Sequence, residues 1–174
     1  MSIKTILTEP NKILRQVSKP VEKVGQEERQ LMDDMLDTMY HANGIGLAAI
    51  QIGVPKRIIV MDLSKKEEEK KPMYFVNPVI KNKNQTFSTY EEGCLSVPNQ
   101  FAEIDRPKTC EIEYLDYDGK KKIIKAEGLL ATCIQHEMDH LQGILFIDYL
   151  SKLKKSMIIK KLSKDKNKSD RITF

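Results

Sequence analysis

The sequence Gln135-His136-Glu137-Met138-Asp139-His140 lies within an apolar run, and this run predicts a buried helix. The helical pattern begins near residue 126 and continues to a stop at Gly143. Positions four apart on a helix lie about 40° apart around its axis and roughly 6 Å apart along it. His136 and His140 therefore project from one face of the helix, and Glu137 lies one step round from them.

Two imidazoles on one helix face can bind a single divalent cation. At this spacing, the glutamate after the first histidine can reach a water on that cation and act as a general base. The chain has three histidines in all, and two of them fall in this pattern. The HExxH pattern also occurs by chance, so the alternative interpretation is a pair of partly exposed helix histidines.

A catalytic metal site needs a third protein ligand and leaves one position for water. No glutamate follows Glu137, and Phe146 stands six residues after His140. The third ligands of two classes of zinc protease are therefore missing. Asp148 lies too soon after the helix to be the first choice. We expect the third ligand to come from upstream.

Three cysteines are candidates for this ligand. Cys110 follows a strand pattern, which favours core packing. Cys133 lies one turn before His136, but positions spanning about 10 Å of one helix cannot easily surround one ion. We expect Cys133 to line a pocket. Cys94 lies between a glycine and a proline in an apparent irregular turn, from which a thiolate can approach a metal. Cys94 is favoured, the alternative being an ordinary buried cysteine.

The segment Gly44-Ile45-Gly46-Leu47-Ala48-Ala49-Ile50-Gln51 follows a predicted helix rather than a strand, and it lacks a third glycine. It therefore does not form the dinucleotide-binding fingerprint. Its glycines allow a backbone to come close to a ligand. The amide of Gln51 is either a capping or surface group, or a donor aimed at an oxyanion.

The length and composition exclude several classes of protein. The 174 residues suit one domain, with 40% hydrophobic and 31% charged residues. No apolar run approaches the roughly 20 residues needed to span a bilayer. The first ten residues lack the pattern of a secretory signal, and three dispersed cysteines do not make a disulfide framework. We expect a reduced, intracellular location and no membrane contact.

The charge is unevenly distributed. Residues 152–174 carry nine basic and two acidic side chains, a net of +7, which leaves −3 for residues 1–151 of the total +4. Such a tail suits a polyanion such as RNA. A lysine-rich end that serves only solubility is an equally good interpretation of the composition.

Outside these motifs, periodicity predicts helices at both ends of the chain and strands between them. The predicted elements are a helix at 26–42, strands at 57–61, 73–76, 79–80 and 86–90, a hairpin over 109–124, and a last helix from about 149 to 162. This order predicts an α+β fold. Small antiparallel or mixed sheets are expected to pack around a central HExxH helix, with N-terminal helices and a C-terminal helix.

Three motifs together resemble the signature motifs of peptide deformylases, in matching order and at matching separations. They are GIGLAAIQ at 44–51, EGCLS at 92–96 and QHEMDHLQG at 135–143. The likeness extends from about Pro10 to Leu153, and it implies one catalytic domain over 1–174 with 152–174 as a basic helix or tail. It implies an enzyme that removes the formyl group from the N-terminal formylmethionine of new polypeptides, leaving formate and a free methionyl N-terminus.

The resemblance also implies roles for particular residues. The metal ligands are Cys94, His136 and His140, and the general acid/base is Glu137. The oxyanion is held by the metal, by the Gln51 side chain and by the Leu95 backbone N–H. The metal is typically ferrous iron, and zinc, nickel or cobalt can replace it.

For the substrate, the resemblance implies an extended peptide beside Ile45 and Gly46. The methionine pocket is expected to include Ile45, Leu129 and Cys133, the last two being placed by helical spacing. In some members of the family the C-terminal helix docks on the ribosome, which the basic tail would suit. We expect a cytoplasmic enzyme of bacterial type, or an organellar one. An HExxH endopeptidase and a nucleic-acid-binding module with a structural metal are the competing hypotheses.

Overall fold

A computed structural model describes residues 2–66 and 68–172 and shows an α+β fold. The α-helices are α1 (Gln26–His41), α2 (Gly128–His140) and α3 (Lys152–Ile172). The strands are β1 (Gly46–Ala48), β2 (Ile58–Met61), β3 (Met73–Lys83), β4 (Phe87–Cys94), β5 (Val97–Pro107), β6 (Thr109–Leu115) and β7 (Lys121–Glu127). Short 3₁₀ turns occupy Lys12–Arg15, Ala49–Ile52 and Phe146–Tyr149.

The strands form two sheets in which every named pair is antiparallel. The larger sheet has the order β1-β2-β3-β6-β7, and β4 and β5 form a separate two-stranded sheet. Helix α2 lies between them, because it packs against β1, β6 and β7 on one side and β5 on the other. Helix α1 packs against β1 and β2, and α3 packs against β5. The α+β class is thereby confirmed.

Apolar burial fixes the position of α2. Ala131 and Ile134 on this helix are fully buried against a core that includes Ile59, Phe75 and Ile112 from the larger sheet. Each large aliphatic or aromatic side chain buried in such a core contributes about 1.5–3 kcal/mol. Because the apolar face of α2 is held against the larger sheet, the face that carries the histidines points toward the β4–β5 sheet.

Glycines bound the segment that carries α2. The helix begins at Gly128 rather than near residue 126, because Lys121–Glu127 is held in the sheet by pairing with β6. Gly128 and Gly143 both have positive φ, at 59° and 72°. At Gly143 an added Cβ would collide with the backbone of Arg15, so this turn requires glycine.

Three further details of the predicted strands and helices are wrong. The strands at 73–76 and 79–80 are one strand, β3, interrupted by Asn77 at φ 49°. Strand β5 was not predicted, because Pro98, Pro107 and the left-handed Asn99 are unfavourable strand residues. The last helix begins at Lys152, after a 3₁₀ turn, and continues beyond Leu162, since no proline or glycine ends it.

Candidate active site

Three predicted side chains converge between α2 and the β4–β5 sheet. One ligand atom from each of Cys94, His136 and His140 lies within 4.8 Å of the others. The Sγ of Cys94 is 3.4 Å from the Nε2 of His140. Cys94 is the last residue of β4, where the pairing with β5 shifts register between Gly93 and Cys94 and a tight turn follows, so the irregular turn that the sequence indicated is confirmed.

This donor set fits a divalent transition metal. A thiolate and two imidazoles are ligands that iron, zinc, nickel and cobalt all accept. His140 is fully buried, and this burial lowers its pKa. It is therefore held as the neutral imidazole that metal binding requires.

A carboxylate orients the first histidine. The Nδ1 of His136 lies 2.8 Å from Oε1 of Glu92 and donates to it, since a carboxylate only accepts. This leaves Nε2 of His136 available for a metal. Burial tends to raise the pKa of Glu92, but hydrogen bonds from His136 and Arg106 outweigh that effect and lower it.

Arg106 connects Glu92 to the ligand helix. It is 4% exposed and donates twice to Glu92, at 2.7 and 2.9 Å, and once to Asp139, at 2.8 Å. The hydroxyl of Tyr149 donates to the same Asp139 oxygen at 2.7 Å. Sequence reasoning missed Arg106, because no local pattern marks a residue that acts on positions 14 and 33 residues away.

Glu137 is 4% exposed and lies beside β1. Its Oε2 has no hydrogen-bond partner among the described residues. A Cβ added to Gly46 would lie 2.5 Å from its Oε1, so glycine is what allows this close approach. Burial raises the pKa of Glu137 to about 7. A carboxyl group with this pKa can accept and return a proton near neutrality.

The amide of Gln51 is held in a defined orientation. Its Oε1 accepts from the Ala48 N–H at 2.9 Å, and its Nε2 donates to Ser96 Oγ at 3.1 Å. The same Nε2 lies 3.7 Å from Cys94 Sγ. Gln51 is only 1% exposed, so it is not a surface amide, but its Oε1 does cap the 3₁₀ turn Ala49–Ile52, which confirms the capping interpretation. Its NH₂ group faces the predicted ligand set.

A cavity of about 470 Å³ opens onto these groups. Its lining includes all of the remaining predicted site residues, namely Ile45, Gly46, Leu95, Leu129 and Cys133, together with Phe101. His140 lies below this surface and does not line it. Burial raises the pKa of the Cys133 thiol, so Cys133 presents a neutral, apolar wall.

The other two ligand candidates lie elsewhere. Cys110 is 3% exposed within the core cluster, which confirms its predicted packing role. Asp148 accepts from Arg15 at 2.6 Å and from the Leu145 N–H at 3.0 Å. Its carboxylate therefore connects the turn before α3 to the N-terminal segment. Asp148 does not belong to the group formed by Cys94, His136 and His140.

The site brings a possible Cys/His/His metal-binding group and a buried carboxyl group together beside an open cleft, an arrangement typical of metal-dependent hydrolases. A sequence model of the polypeptide deformylase family matches residues 3–156. The chain belongs to this family. The activity of this family is the hydrolytic removal of formyl groups from the N-termini of new polypeptides.

Known proteins support this assignment along nearly the whole chain. The peptide deformylase of Pelagibacter ubique (strain HTCC1062) is 80% identical over 167 residues, which cover 96% of this chain and 97% of that one. A crystal structure of peptide deformylase from Ehrlichia chaffeensis has a TM-score of 0.92 at 45% identity, covering 98% and 100% of the two chains. One from Plasmodium falciparum has a TM-score of 0.86 at 33% identity, covering 98% and 99%.

Among the described residues, none of the helices combines the length and apolar character that crossing a bilayer requires.

Proposed function

We propose that Cys94, His136 and His140 bind one divalent cation and that Glu137 is the acid/base of deformylation. The observation that carries this proposal is the convergence of the three ligand atoms within 4.8 Å of one another, beside the cleft that Cys94, His136 and Glu137 line. When bound, such a cation supplies Lewis acidity, which polarises a carbonyl oxygen and lowers the pKa of water toward neutrality.

Residues of the chain carry out the proton transfers and stabilise the oxyanion. Glu137 takes a proton from the attacking water and later delivers it to the departing amine. The Nε2 of Gln51 and the backbone N–H of Leu95 donate to the oxygen of the formyl group as it gains negative charge. The fixed orientation of the Gln51 amide supports this role, because its geometry need not be reorganised during the reaction.

The substrate is proposed to lie extended beside Ile45 and Gly46, as an added strand. Its methionine side chain would enter the part of the cavity that is lined by Ile45, Leu129 and Cys133. Ile45 and Leu129 are 44% and 47% exposed at the mouth of the cleft. Because these apolar side chains are partly exposed, a ligand that covers them removes apolar surface from water, and this favours binding.

Removing the metal is the experiment that tests the function. Dialysis against a strong chelator should abolish release of formate from a formyl-Met peptide, and adding one equivalent of Fe²⁺, Ni²⁺ or Co²⁺ should restore it. Formate and metal content are measured on the same samples. Full turnover by enzyme that contains no metal would contradict the proposal.

We propose ferrous iron as the native metal. A thiolate beside a ferrous ion is readily oxidised, so the iron form should lose activity in air within hours. The nickel and zinc forms should retain whatever activity they show under argon. The check is a time course of formate release in air and under argon for each form. Equal air stability of all the forms would argue against iron.

Placing a methyl group at Gly46 should misplace Glu137. In Gly46→Ala the new Cβ would stand 2.5 Å from Glu137 Oε1 and 3.1 Å from Cys133 Sγ. Because shifts of about 1 Å in a catalytic group can cost 10²-fold, we expect at least a tenfold loss of kcat with metal content unchanged. In the control Gly25→Ala the Cβ lies 3.4 Å from Glu28 and far from the cleft, so kcat should not change. Equal activity of the two variants would exclude the proposed contact.

We further propose that residues 1–174 form one catalytic domain in the cytoplasm, and that the basic helix α3 contacts ribosomal RNA. The substrate supports this, because newly made polypeptides emerge at ribosomes. The +7 charge of 152–174 supports it as well. Co-sedimentation with ribosomes should fall steeply as salt is raised, and binding that does not depend on salt would contradict an RNA contact.

A further inference from the structure

A second groove lies beside the catalytic cleft, between the β4–β5 sheet and helix α3. Its volume is about 610 Å³. Its apolar lining includes Ala102, Leu150 and Ile158, which belong to one apolar cluster beneath it, and Met157 on the exposed side. Phe101 lines both the groove and the cleft, and its side chain is 65% exposed. The two cavities therefore meet at Phe101.

The reaction requires an exit from the cleft. The enzyme acts on the first residue of a polypeptide, so the rest of that polypeptide must leave the site across its rim. At Phe101 the rim continues into this groove, whose lining is partly apolar and partly charged. A chain that leaves on this side would cover side chains that are otherwise exposed.

Two features of the groove suit a polypeptide. Strand β5 pairs only with β4 among the strands of the described residues, and an unpaired strand edge offers backbone donors and acceptors to another chain. The charged residues of the groove balance in sign, with Glu91 and Glu103 on the sheet and Lys154 and Lys161 on the helix. Two carboxylates disfavour a nucleic acid here, and balanced charges do not select strongly acidic or basic peptides.

We infer that this groove binds the segment of the substrate polypeptide that follows its first few residues, and that it favours apolar side chains there. The inference rests on the cleft assignment proposed above. Binding in the groove would make the enzyme sensitive to substrate sequence beyond the residues that the cleft itself can hold. Met157 and Phe101 are the exposed apolar contacts, and they lie on opposite walls.

The test compares formyl-Met peptides of three and ten residues, the longer ones carrying either leucines or serines after the third position. Burial of one apolar side chain corresponds to about a tenfold change in affinity. We therefore expect kcat/KM for the leucine decapeptide to exceed that for the tripeptide by about tenfold, and the serine decapeptide to show little gain.

Two charge-introducing variants of α3 locate the effect. Met157→Glu alters the groove lining, where Met157 is 54% exposed. Leu153→Glu makes a similar change on the same helix at a side chain that is 72% exposed and does not line the groove. Met157→Glu should remove most of the leucine gain, Leu153→Glu should keep it, and both should cleave the tripeptide like the wild type.

Each other result overturns the inference. No leucine gain in the wild type, a gain that survives Met157→Glu, or an equal loss in both variants would exclude the groove as the binding surface. A wild type that fails to deformylate even the tripeptide would overturn the proposed function as well, so the two failures are distinguishable.

Discussion

Replacing Glu137 with glutamine should lower kcat for formate release by about 10²–10⁴-fold, the usual contribution of a positioned acid/base. Glutamine keeps the size of the side chain and its approach to Gly46, but it cannot carry a proton from water to the leaving amine. Because Glu137 is not one of the three proposed ligands, metal content should stay at one equivalent.

The measurement pairs formate release with metal analysis and a thermal melt of the same preparation. Glu127→Gln is the matched control, since Glu127 is an exposed carboxylate at the start of the same helix. It should leave all three quantities near the wild-type values. Turnover by Glu137→Gln within a few fold of the control would remove the acid/base role, and loss of metal would place Glu137 among the ligands.

Replacing Arg106 with methionine should cost about 3–5 kcal/mol in the free energy of unfolding, because it leaves a buried charge without its partner. Glu92 is 5% exposed and loses both hydrogen bonds from the guanidinium, and Asp139 loses one. Methionine fills similar space, so a cavity contributes little. Since Glu92 orients His136, metal affinity should also fall about 10–100-fold.

Urea unfolding of the metal-free and metal-loaded forms separates the two effects. Arg57→Met is the matched control. Arg57 is half-buried and donates to the carbonyl oxygen of Pro78 at 2.8 Å, so its replacement leaves no buried carboxylate without this hydrogen-bond partner. Its cost should be smaller, about 1.5–3 kcal/mol, the usual contribution of a hydrogen bond that involves a charged group. Equal costs for the two variants would show that the buried ion pairs of Arg106 do not hold this site together.

The sequence predicts the parts of the site that depend on local spacing. His136, Glu137 and His140 lie on one helix, so periodicity alone brings them together. The sequence also selected Cys94, by elimination and by the deformylase resemblance. What it missed was the position of that cysteine at the end of β4, because the pairing of β4 with β5 depends on a strand that contains two prolines.

The parts that could not be predicted depend on tertiary contacts. Glu92 stands in a recognised motif, yet its bond to His136 joins residues 44 positions apart. The groove between β5 and α3 exists only because a distant helix packs beside a hairpin. Such neighbours leave no periodic signal in either segment.

X-ray absorption spectroscopy of the zinc-loaded enzyme tests the central claim most directly. The account predicts one sulfur at about 2.3 Å and two imidazole nitrogens at about 2.0–2.1 Å from the metal. In Cys94→Ala the sulfur shell should disappear. A wild-type spectrum without sulfur, or a sulfur shell that persists in Cys94→Ala, would contradict the proposed ligand set.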